Sequence, residues 1–385
     1  MTPSKTLIAG LAAVFAIFLT GCSLFSSQPT PTPAPTPSPT VRSTAGTSIS
    51  FATATPTLTP HYVKSITLVA PIGEPKDWTP AGLTWKGIQA EATRIRATAS
   101  LQEPASNEEL ATDLDAAAQA DNAVVVTVGP AADPAVQVAA AAHPATQFLE
   151  MDAVVPDSAP GNVHGLAFDE ATAGYLGGYV AAAFADSGSG AGSIGMVGDT
   201  KTDVRSANYE AGFRGGAAEE SPDIAVSLAY VGTPDSPDRG RVAASGLVEA
   251  GSTVITAMPS LSGIGALREA CAGKAQVVAV GTDAWQTVPD IQPCLIVSVM
   301  NRYDVAVTAA IDTANSGDTI PRVTVNDVAN GGIALSELHA TLPADIPAKL
   351  AAVIAKLKAG PPRPSPAPPT ATPSAPGRAS PGSGA

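Results

Sequence analysis

The stretch AVVVTVGPAADPAVQVAAAAHPATQFLEM, residues 123–151, predicts a strand, a helix and a second strand in succession. Ala123–Val128 is a continuous apolar run of the length expected for a buried strand. Pro134 stands in the first turn of the helix that follows, where proline is preferred. Thr146–Met151 is the second strand. Continuous apolar strands joined through a helix are typical of a parallel sheet with helices on both faces.

The same alternation extends in both directions along the chain. Further strands are predicted at Ile66–Ala70, Ile95–Leu101, Val163–Phe168, Ile194–Val197, Ile224–Val231, Thr253–Thr256, Val277–Val280, Leu295–Val299 and Ile333–Leu335. Further helices are predicted at Ala81–Arg94, Ser106–Gln119, Glu170–Phe184, Val204–Glu219, Asp235–Ala250, Gly263–Cys271, Tyr303–Asn315 and Pro343–Lys358. The helix at 170–184 is dominated by Ala and Gly, so it must pack closely against its neighbour.

Two successive sets of strand–helix repeats predict an α/β fold with two lobes. Because parallel crossovers are right-handed, each set should form a doubly wound parallel sheet. The lobes are placed at about residues 61–170 and 190–290 and are joined by a hinge, with later segments crossing back.

The N-terminus has the features of an exported, lipid-anchored chain. Lys5 precedes the apolar run Leu7–Leu19, which is short for a membrane span and has the length of an export signal. LTGC at Leu19–Cys22 resembles the bacterial lipobox, which predicts a signal peptide at 1–21 and lipid on Cys22. The membrane would then be reached only through this anchor. The alternative is an ordinary signal peptide or a single anchor with a chance cysteine.

Two tails of low complexity flank the body of the chain. Residues 22–60 contain PTPTPAPTPSPT at Pro29–Thr40, and residues 361–385 are rich in Pro, Ser and Ala. Such compositions cannot bury a core and favour extended polyproline conformations. We therefore expect a disordered tether, a folded body at 61–360 and a disordered C-terminal tail.

Charge and cysteine content narrow the function classes. The body holds all 34 acidic residues but only 17 of the 21 basic ones, which gives a net charge of −17. Such an anionic surface argues against nucleic acid or anionic lipid as a partner. Cys271 and Cys294 remain once Cys22 is assigned to lipid. In an exported domain this pair predicts a disulfide, and the alternative is two buried thiols.

Catalytic motifs are absent from the sequence. It contains no HExxH, GxSxG, P-loop lysine or CxxC motif, and His61, His143, His164 and His339 are expected on the surface or in loops. GAGSIG at Gly190–Gly195 precedes a strand instead of following one, which is the wrong order for a dinucleotide-binding turn. It is interpreted as a linker between the lobes. The sequence therefore predicts no enzyme, no cofactor and no metal.

The residues beyond the carboxyl ends of the strands are the candidates for ligand binding, because open α/β sheets bind ligands there. The predicted ligand-binding residues are Asp77, Trp78, Asp152, Gly263, Asp283, Trp285 and Asn301. Carboxylates accept hydrogen bonds from hydroxyls or amines, aromatic rings stack on rings or sugars, and the amides of SGIG could hold polar atoms. The alternative for each Asp is a helix N-cap or a turn. Trp85 is expected in the core.

From Ile66 to Gly360 the chain resembles the basic membrane protein family of substrate-binding lipoproteins. The resemblance is carried in order by DWTPAGLTWKGI, FDEATAGYLGGYVAA, SIGMVGD, NYEAGFRGG, VGTPDSPDRGR, SLSGIGALREA, AVGTDAW, SVMNRYDVAV and NGGIALSE. The resemblance implies a type I periplasmic-binding fold with a hinged cleft and delivery of the ligand to an ABC permease. It also implies a small polar ligand, since characterised relatives bind purine nucleosides. By motif, Asp77 matches the aspartate of the first loop, Asp152 the one after strand four, and Asp283 the acid that holds ribose hydroxyls.

The sequence departs from the family pattern where a base would stack. Thr79-Pro80-Ala81 replaces Ser-Phe-Asn, Pro234 stands where an aromatic residue is expected, and Asn301 replaces a lysine. A nucleoside is therefore one candidate ligand among small polar molecules. A transport receptor is the leading hypothesis. A ligand-sensing surface lipoprotein without a transporter is the alternative, and an exported enzyme or structural surface protein is a third.

Overall fold

The structure is a computed structural model that describes residues 63–73, 79–121, 123–186, 192–340 and 342–360. The predicted signal peptide, the lipidated Cys22, the tether and the C-terminal tail lie outside the described residues, as do Asp77, Trp78 and His61. The division of the chain at residues 21, 60 and 360 therefore stays a prediction.

The described chain alternates strand and helix almost throughout. The strands are β1 (Ser65–Val69), β2 (Thr98–Gln102), β3 (Ala123–Val128), β4 (Gln147–Met151), β5 (Val163–Phe168), β6 (Ser193–Gly198), β7 (Ala225–Tyr230), β8 (Ser252–Ala257), β9 (Gln276–Gly281), β10 (Leu295–Asn301), β11 (Val323–Asn326) and β12 (Ile333–Leu335). The helices are α1 (Pro80–Ile95), α2 (Asn107–Ala118), α3 (Asp133–Ala142), α4 (Glu170–Asp186), α5 (Val204–Glu220), α6 (Pro237–Glu249), α7 (Leu261–Ala272), α8 (Ala284–Thr287), α9 (Tyr303–Ser316) and α10 (Ile346–Lys358).

Two six-stranded sheets form the two lobes. The sheet of lobe 1 has the order β11-β5-β4-β3-β1-β2 with every pair parallel, and the sheet of lobe 2 has the order β12-β10-β9-β8-β6-β7. In lobe 2 only β12 is antiparallel to its neighbour. The prediction of two doubly wound α/β lobes is confirmed.

The chain passes between the lobes three times. It leaves lobe 1 after β5, returns after β10 through α9, which packs on α1, and crosses again between β11 and β12. The strand β11 was not predicted from the sequence, because VTVN is a short edge strand that is only partly buried. The predicted strand at Ile95–Leu101 begins later, at Thr98, because α1 extends to Ile95 and ends in a left-handed residue, Arg96.

Helices α4 and α5 pack in backbone contact, as the Ala- and Gly-rich sequence predicts. A Cβ atom built on Gly216 would lie 1.9 Å from the carbonyl oxygen of Tyr175, and one on Gly178 would lie 2.0 Å from that of Phe213. Only glycine permits such an approach. The pair packs on the lobe 2 sheet, mainly through α4, and brings the start of α4 next to the start of α5.

Cys271 and Cys294 form a disulfide that ties α7 to the turn before β10, with the Cα atoms 5.7 Å apart. That Cα separation is common for protein disulfides. Closing a loop of this length contributes roughly 3 kcal/mol in the chain-entropy model.

Among the described residues, no helix combines the length and the apolar content needed to cross a bilayer.

Candidate functional site

The carboxyl ends of the two sheets bring together five polar residues at the junction of the lobes, which we call the polar centre. Its members are Asp152, Glu170, Arg205, Asn301 and Tyr303. Asp152 follows β4 of lobe 1, and Asn301 ends β10 of lobe 2. Arg205 lies in the first turn of α5, directly after β6. Because these positions lie where open α/β sheets bind ligands, the polar centre is the first candidate site.

An arginine links the two lobes in the polar centre. Arg205 Nη1 lies 3.3 Å from Asp152 Oδ2, while Arg205 Nη2 and Nε lie 2.6 and 3.0 Å from Glu170 Oε1. Asp152 adopts a left-handed backbone conformation, with φ of 59°, and its N–H donates to the carbonyl oxygen of Leu166. Aspartate tolerates this conformation better than most residues. This conformation turns the chain at the end of β4 and places Asp152 next to the Arg205 guanidinium of lobe 2.

Burial dominates the electrostatics of the polar centre. It raises the pKa of Asp152 and of Glu170 above the usual range, and the charge of Arg205 opposes both shifts. Burial also raises the pKa of the Tyr303 hydroxyl, and the charge of Asp152 adds to this rise. Two carboxylates share one guanidinium, so the centre carries net negative charge when all three groups are ionised.

The side chain of Asn301 is buried without partners. It is 1% exposed, and neither its Oδ1 nor its Nδ2 makes a hydrogen bond to any described residue. Asn301 acts to lower the pKa of Tyr303, against the rise caused by burial, but its side-chain atoms do not meet hydrogen-bond geometry with the Tyr303 hydroxyl. A buried amide left unpaired costs on the order of 1–3 kcal/mol, so such a group marks a place where a partner is expected.

A pocket of about 520 Å³ lies on lobe 2 and contains two of the predicted site residues, Asp283 and Trp285. Its remaining lining is Gln286, Met300, Leu335, Ser336, Glu337 and His339. The Trp285 ring stacks on the His339 ring with centroids 4.0 Å apart and planes 12° apart. His339 is in a loop, as predicted. The sequence did not indicate that its half-buried ring would stack on Trp285, and its Nε2 atom has no described partner.

Asp283 caps the short helix α8. Its Oδ1 accepts a hydrogen bond from the N–H of Trp285 at 3.2 Å, which is the alternative role that the sequence left open. Its second oxygen, Oδ2, makes no hydrogen bond to a described residue, and the side chain faces the pocket. Asp283 is therefore both a cap and a carboxylate with one free acceptor. Its contacts do not join it to Asp152.

The amides of SGIG do not offer free donors in this structure. The N–H of Gly263 donates to Ser260 Oγ at 2.9 Å, and the N–H groups of Ser262 and Ile264 donate to carbonyl oxygens. A Cβ atom on Gly263 would lie 1.8 Å from the carbonyl oxygen of Met258. The expectation that these amides face a ligand does not fit this geometry, because the start of α7 uses them for its own cap. Gly263 serves close packing.

The surface assignment of His164 is wrong. The residue lies in β5, is buried, and has Nδ1 3.1 Å from the Pro321 carbonyl oxygen and Nε2 2.8 Å from Gln147 Oε1. Burial lowers its pKa, so the neutral form is favoured. Trp85, which was expected in the core, is partly buried and packs against it.

A pair of acids, one buried and one partly buried, lies in lobe 1 next to the polar centre. Glu150 in β4 is 3% exposed, and burial together with Asp133 raises its pKa to about 8. Burial also raises the pKa of Asp133, at the start of α3. Thr127 faces Glu150 across the sheet, and its Oγ1, Glu150 Oε1 and Asp133 Oδ1 lack described partners. The pair fits a carboxylic acid and a carboxylate that share a proton.

Across the described residues, no group of three or more His, Cys, Asp or Glu side chains is arranged to hold a metal ion.

Sequence reasoning found Asp152 and Asn301 but missed Arg205, Glu170 and Tyr303. A signal for Arg205 was available, because its helix directly follows the first strand of the second half and its first turn must lie at the same sheet edge. Glu170 begins the helix that enters lobe 2, and an acid there complements the helix dipole. Neither pattern specifies the partner.

Comparisons with known proteins agree on the family. A family model described as ABC transporter substrate-binding protein PnrA-like, named Bmp, matches residues 83–356. Basic membrane protein A2 of Borrelia garinii subsp. bavariensis is 25% identical over 185 residues, which cover 48% of this chain and only 53% of that relative. The CD4+ T-cell-stimulating antigen of Listeria monocytogenes serovar 1/2a is 25% identical over 259 residues, 64% of this chain and 71% of the relative. The chain thus spans about half the length of the first relative.

Solved structures share the fold at low sequence identity. An ABC transporter solute-binding protein from Aeropyrum pernix K1 aligns with a TM-score of 0.57 and 23% identity over 71% of this chain and 76% of that one. A second, from Conexibacter woesei DSM 14684, aligns with a TM-score of 0.61 and 21% identity over 77% and 96%. With the family model spanning most of the two-lobed body, the chain belongs to the Bmp family of PnrA-like ABC transporter substrate-binding proteins.

Proposed function

We propose that this chain is a lipid-anchored, extracytoplasmic receptor that captures a small polar ligand between its lobes and delivers it to an ABC permease for import. The observation that carries the proposal is the unpaired, buried amide of Asn301 beside an ion-pair network that joins the two lobes. A ligand that donates to Oδ1 and accepts from Nδ2 would satisfy Asn301. Binding, and not catalysis, accounts for this arrangement.

The charges of the site favour a neutral or donor-rich ligand. Asp152 and Glu170 already share the guanidinium of Arg205, and Asp199 lies near enough for its charge to interact with Arg205. A phosphate or carboxylate would enter a region of net negative charge and find no free cation in the polar centre. Hydroxyl-rich molecules, including nucleosides, fit these acceptors. Asp77, Trp78, Asp152, Asp283, Trp285 and Asn301 stay the proposed contacts.

The alternative hypothesis is a ligand-sensing lipoprotein without a transporter. The gene neighbourhood, and not the fold, distinguishes it from a transport receptor. A structure with the same fold, described as a transcriptional activator of the comK gene from Bacillus halodurans, aligns with a TM-score of 0.65 but only 15% identity. The fold therefore serves more than one role. Permease and ATPase genes beside this one would support transport, and their absence would favour sensing.

A ligand screen followed by two substitutions tests the site. We expect one class among nucleosides, sugars and amino acids to stabilise the mature chain by roughly 3–4 kcal/mol at 100–1,000 times its dissociation constant. Asn301→Leu should bind that ligand about tenfold to a hundredfold more weakly while the free protein keeps or gains stability, because an unpaired amide is removed. Asp283→Asn keeps the α8 cap but loses a charged acceptor, so about a tenfold loss is expected.

Calorimetry measures both affinities, with circular dichroism as the folding control. Asp290→Asn is the matched control, since Asp290 pairs with Arg268 at an exposed position. Unchanged affinity in Asn301→Leu would remove the polar centre from the site. Unchanged affinity in Asp283→Asn would leave Asp283 with its capping role alone.

Lipidation is tested by replacing Cys22. The motif LTGC predicts that Cys22→Ser releases the chain from the membrane fraction, because the thiol that carries the lipid is lost. Fractionation of cells expressing each form, with mass spectrometry of the mature N-terminus, measures this. A Ser variant that is processed and retained like the natural chain would contradict the anchor and favour an ordinary signal peptide.

A further inference from the structure

Arg205 has two acidic partners that belong to different lobes. Asp152 is attached to the sheet of lobe 1 through β4 and through its N–H bond to Leu166 in β5. Glu170 is the first residue of α4, which packs on α5, the helix that carries Arg205. Arg205 and Glu170 therefore belong to one rigid helix pair, while Asp152 meets them from across the cleft.

The two ion pairs differ in what would happen if the lobes moved apart. Opening would separate Arg205 from Asp152, at 3.3 Å, but would leave Arg205 and Glu170 together at 2.6 Å. The Glu170 carboxylate is only 6% exposed, and leaving a buried charge without its partner is strongly unfavourable. Because Glu170 stays with Arg205, opening leaves no unpaired guanidinium, and Asp152 becomes accessible to water. The arrangement makes the cross-lobe pair reversible.

The neighbouring ion pair on α5 shows that this geometry is particular to Arg205. Arg214 lies farther along the same helix and pairs with Glu210, which is also on α5, at 2.8 Å. That pair stays within one helix and makes no link to lobe 1. It provides a matched comparison in charge, helix and exposure.

We propose that Arg205 is a positioning residue that holds the Asp152 carboxylate across the cleft, so that the Asp152–Arg205 pair closes the lobes in the absence of ligand while Glu170 retains Arg205 on opening. This inference goes beyond the proposed function, because it concerns closure and holds for any ligand. It also assigns Asp152 a structural partner that a bound ligand must replace or share.

The distance between the lobes is the direct measurement. Spin labels on cysteines placed at Val138 in lobe 1 and Val242 in lobe 2, each 73% exposed, report the separation in the full mature chain carrying Cys22→Ser. We expect one short distance for the otherwise natural chain at low ionic strength without ligand. Asp152→Asn and Arg205→Ala should each add a longer distance and raise the ratio of open to closed molecules roughly threefold to fivefold, because the pair is partly exposed. Arg205→Lys should restore much of the short distance, because it keeps the charge.

Two controls keep the outcome decisive. Glu170→Gln should stay closed, since Asp152 still pairs with Arg205, and Arg214→Ala should not change the distances. If Arg205→Ala fails to fold, Asp152→Asn alone decides. Unchanged distances in Asp152→Asn, an open distribution in the natural chain, or equal opening in Arg214→Ala would each overturn the proposal. None of these results depends on the ligand screen, so the proposed function would stand or fall separately.

Discussion

Replacing Gly216 by alanine should destabilise the protein by about 3 kcal/mol or more, a value near the upper end for overpacking substitutions. The added Cβ atom would lie 1.9 Å from the carbonyl oxygen of Tyr175, which is backbone of the facing helix and cannot rotate away. Helices α4 and α5 would have to separate along their contact. Gly178 and Gly212 lie in the same interface, where an added Cβ atom would come equally close to backbone oxygens of the facing helix, so the packing around them would be disturbed as well.

Gly215→Ala is the matched control for this substitution. Gly215 is the neighbouring residue of the same helix, is exposed, and would place its Cβ atom 3.9 Å from the Tyr175 side chain, which is an ordinary contact. Since alanine favours a helix over glycine by up to about 1 kcal/mol, this variant should be as stable as the natural protein or more so. Chemical unfolding followed by circular dichroism compares the three proteins. Equal stability of both variants would show that the α4–α5 interface tolerates separation.

Glu150→Gln should stabilise the protein at pH 8 and have little effect near pH 4.5. Because its pKa is raised to about 8 in the folded protein, Glu150 keeps a proton between its ordinary pKa and pH 8 that the unfolded chain has released. Folding therefore binds a proton in this window, and stability falls as pH rises through it. The largest possible slope is about 1.4 kcal/mol per pH unit, and a gain for the variant of roughly 1–3 kcal/mol at pH 8 is expected.

Unfolding curves between pH 4.5 and 8.5 measure this difference. Glutamine keeps the shape of the side chain and can donate to Asp133, as the protonated acid does. Glu103→Gln, at an exposed position, controls for the general effect of removing one acid. If Glu150→Gln and Glu103→Gln follow the natural protein in parallel at every pH, Glu150 does not carry the proton, and a cation or ordered water must satisfy the pair instead.

The acid pair and the cross-lobe ion pair are connected through β4, which contains Glu150 and leads directly into Asp152. Glu150 and Asp152 are separated by one residue at the end of β4, so a change in the charge of one is felt close to the other. The lobe 1 side of the site thus combines a protonated carboxyl, a cross-lobe carboxylate and the turn between them. Ligand affinity of Glu150→Gln, measured at pH 6 and pH 8, would separate the effect of the Glu150 charge on binding from the effect of the Asp152 charge.

The sequence by itself determined the lobes, most of the elements and the family. The strands at Ala123–Val128, Val163–Phe168 and Ile333–Leu335 occur with the predicted bounds. Ala123–Val128 is buried at every residue, and burial on both faces of a sheet leaves a largely apolar run that is local in sequence. The close packing of α4 was also visible, since a helix made of Ala and Gly can bury itself only against another backbone.

Tertiary structure alone decided which side chains meet. Asp152, Glu170 and Arg205 follow three different elements, and no local pattern tells that one guanidinium joins them across two lobes. The same holds for the Trp285–His339 stack and for Gly263, whose amide is used by its own helix cap. Periodicity records whether a residue is buried, but its partner depends on how separate sheets and crossovers are oriented, and that information is distributed over the whole chain.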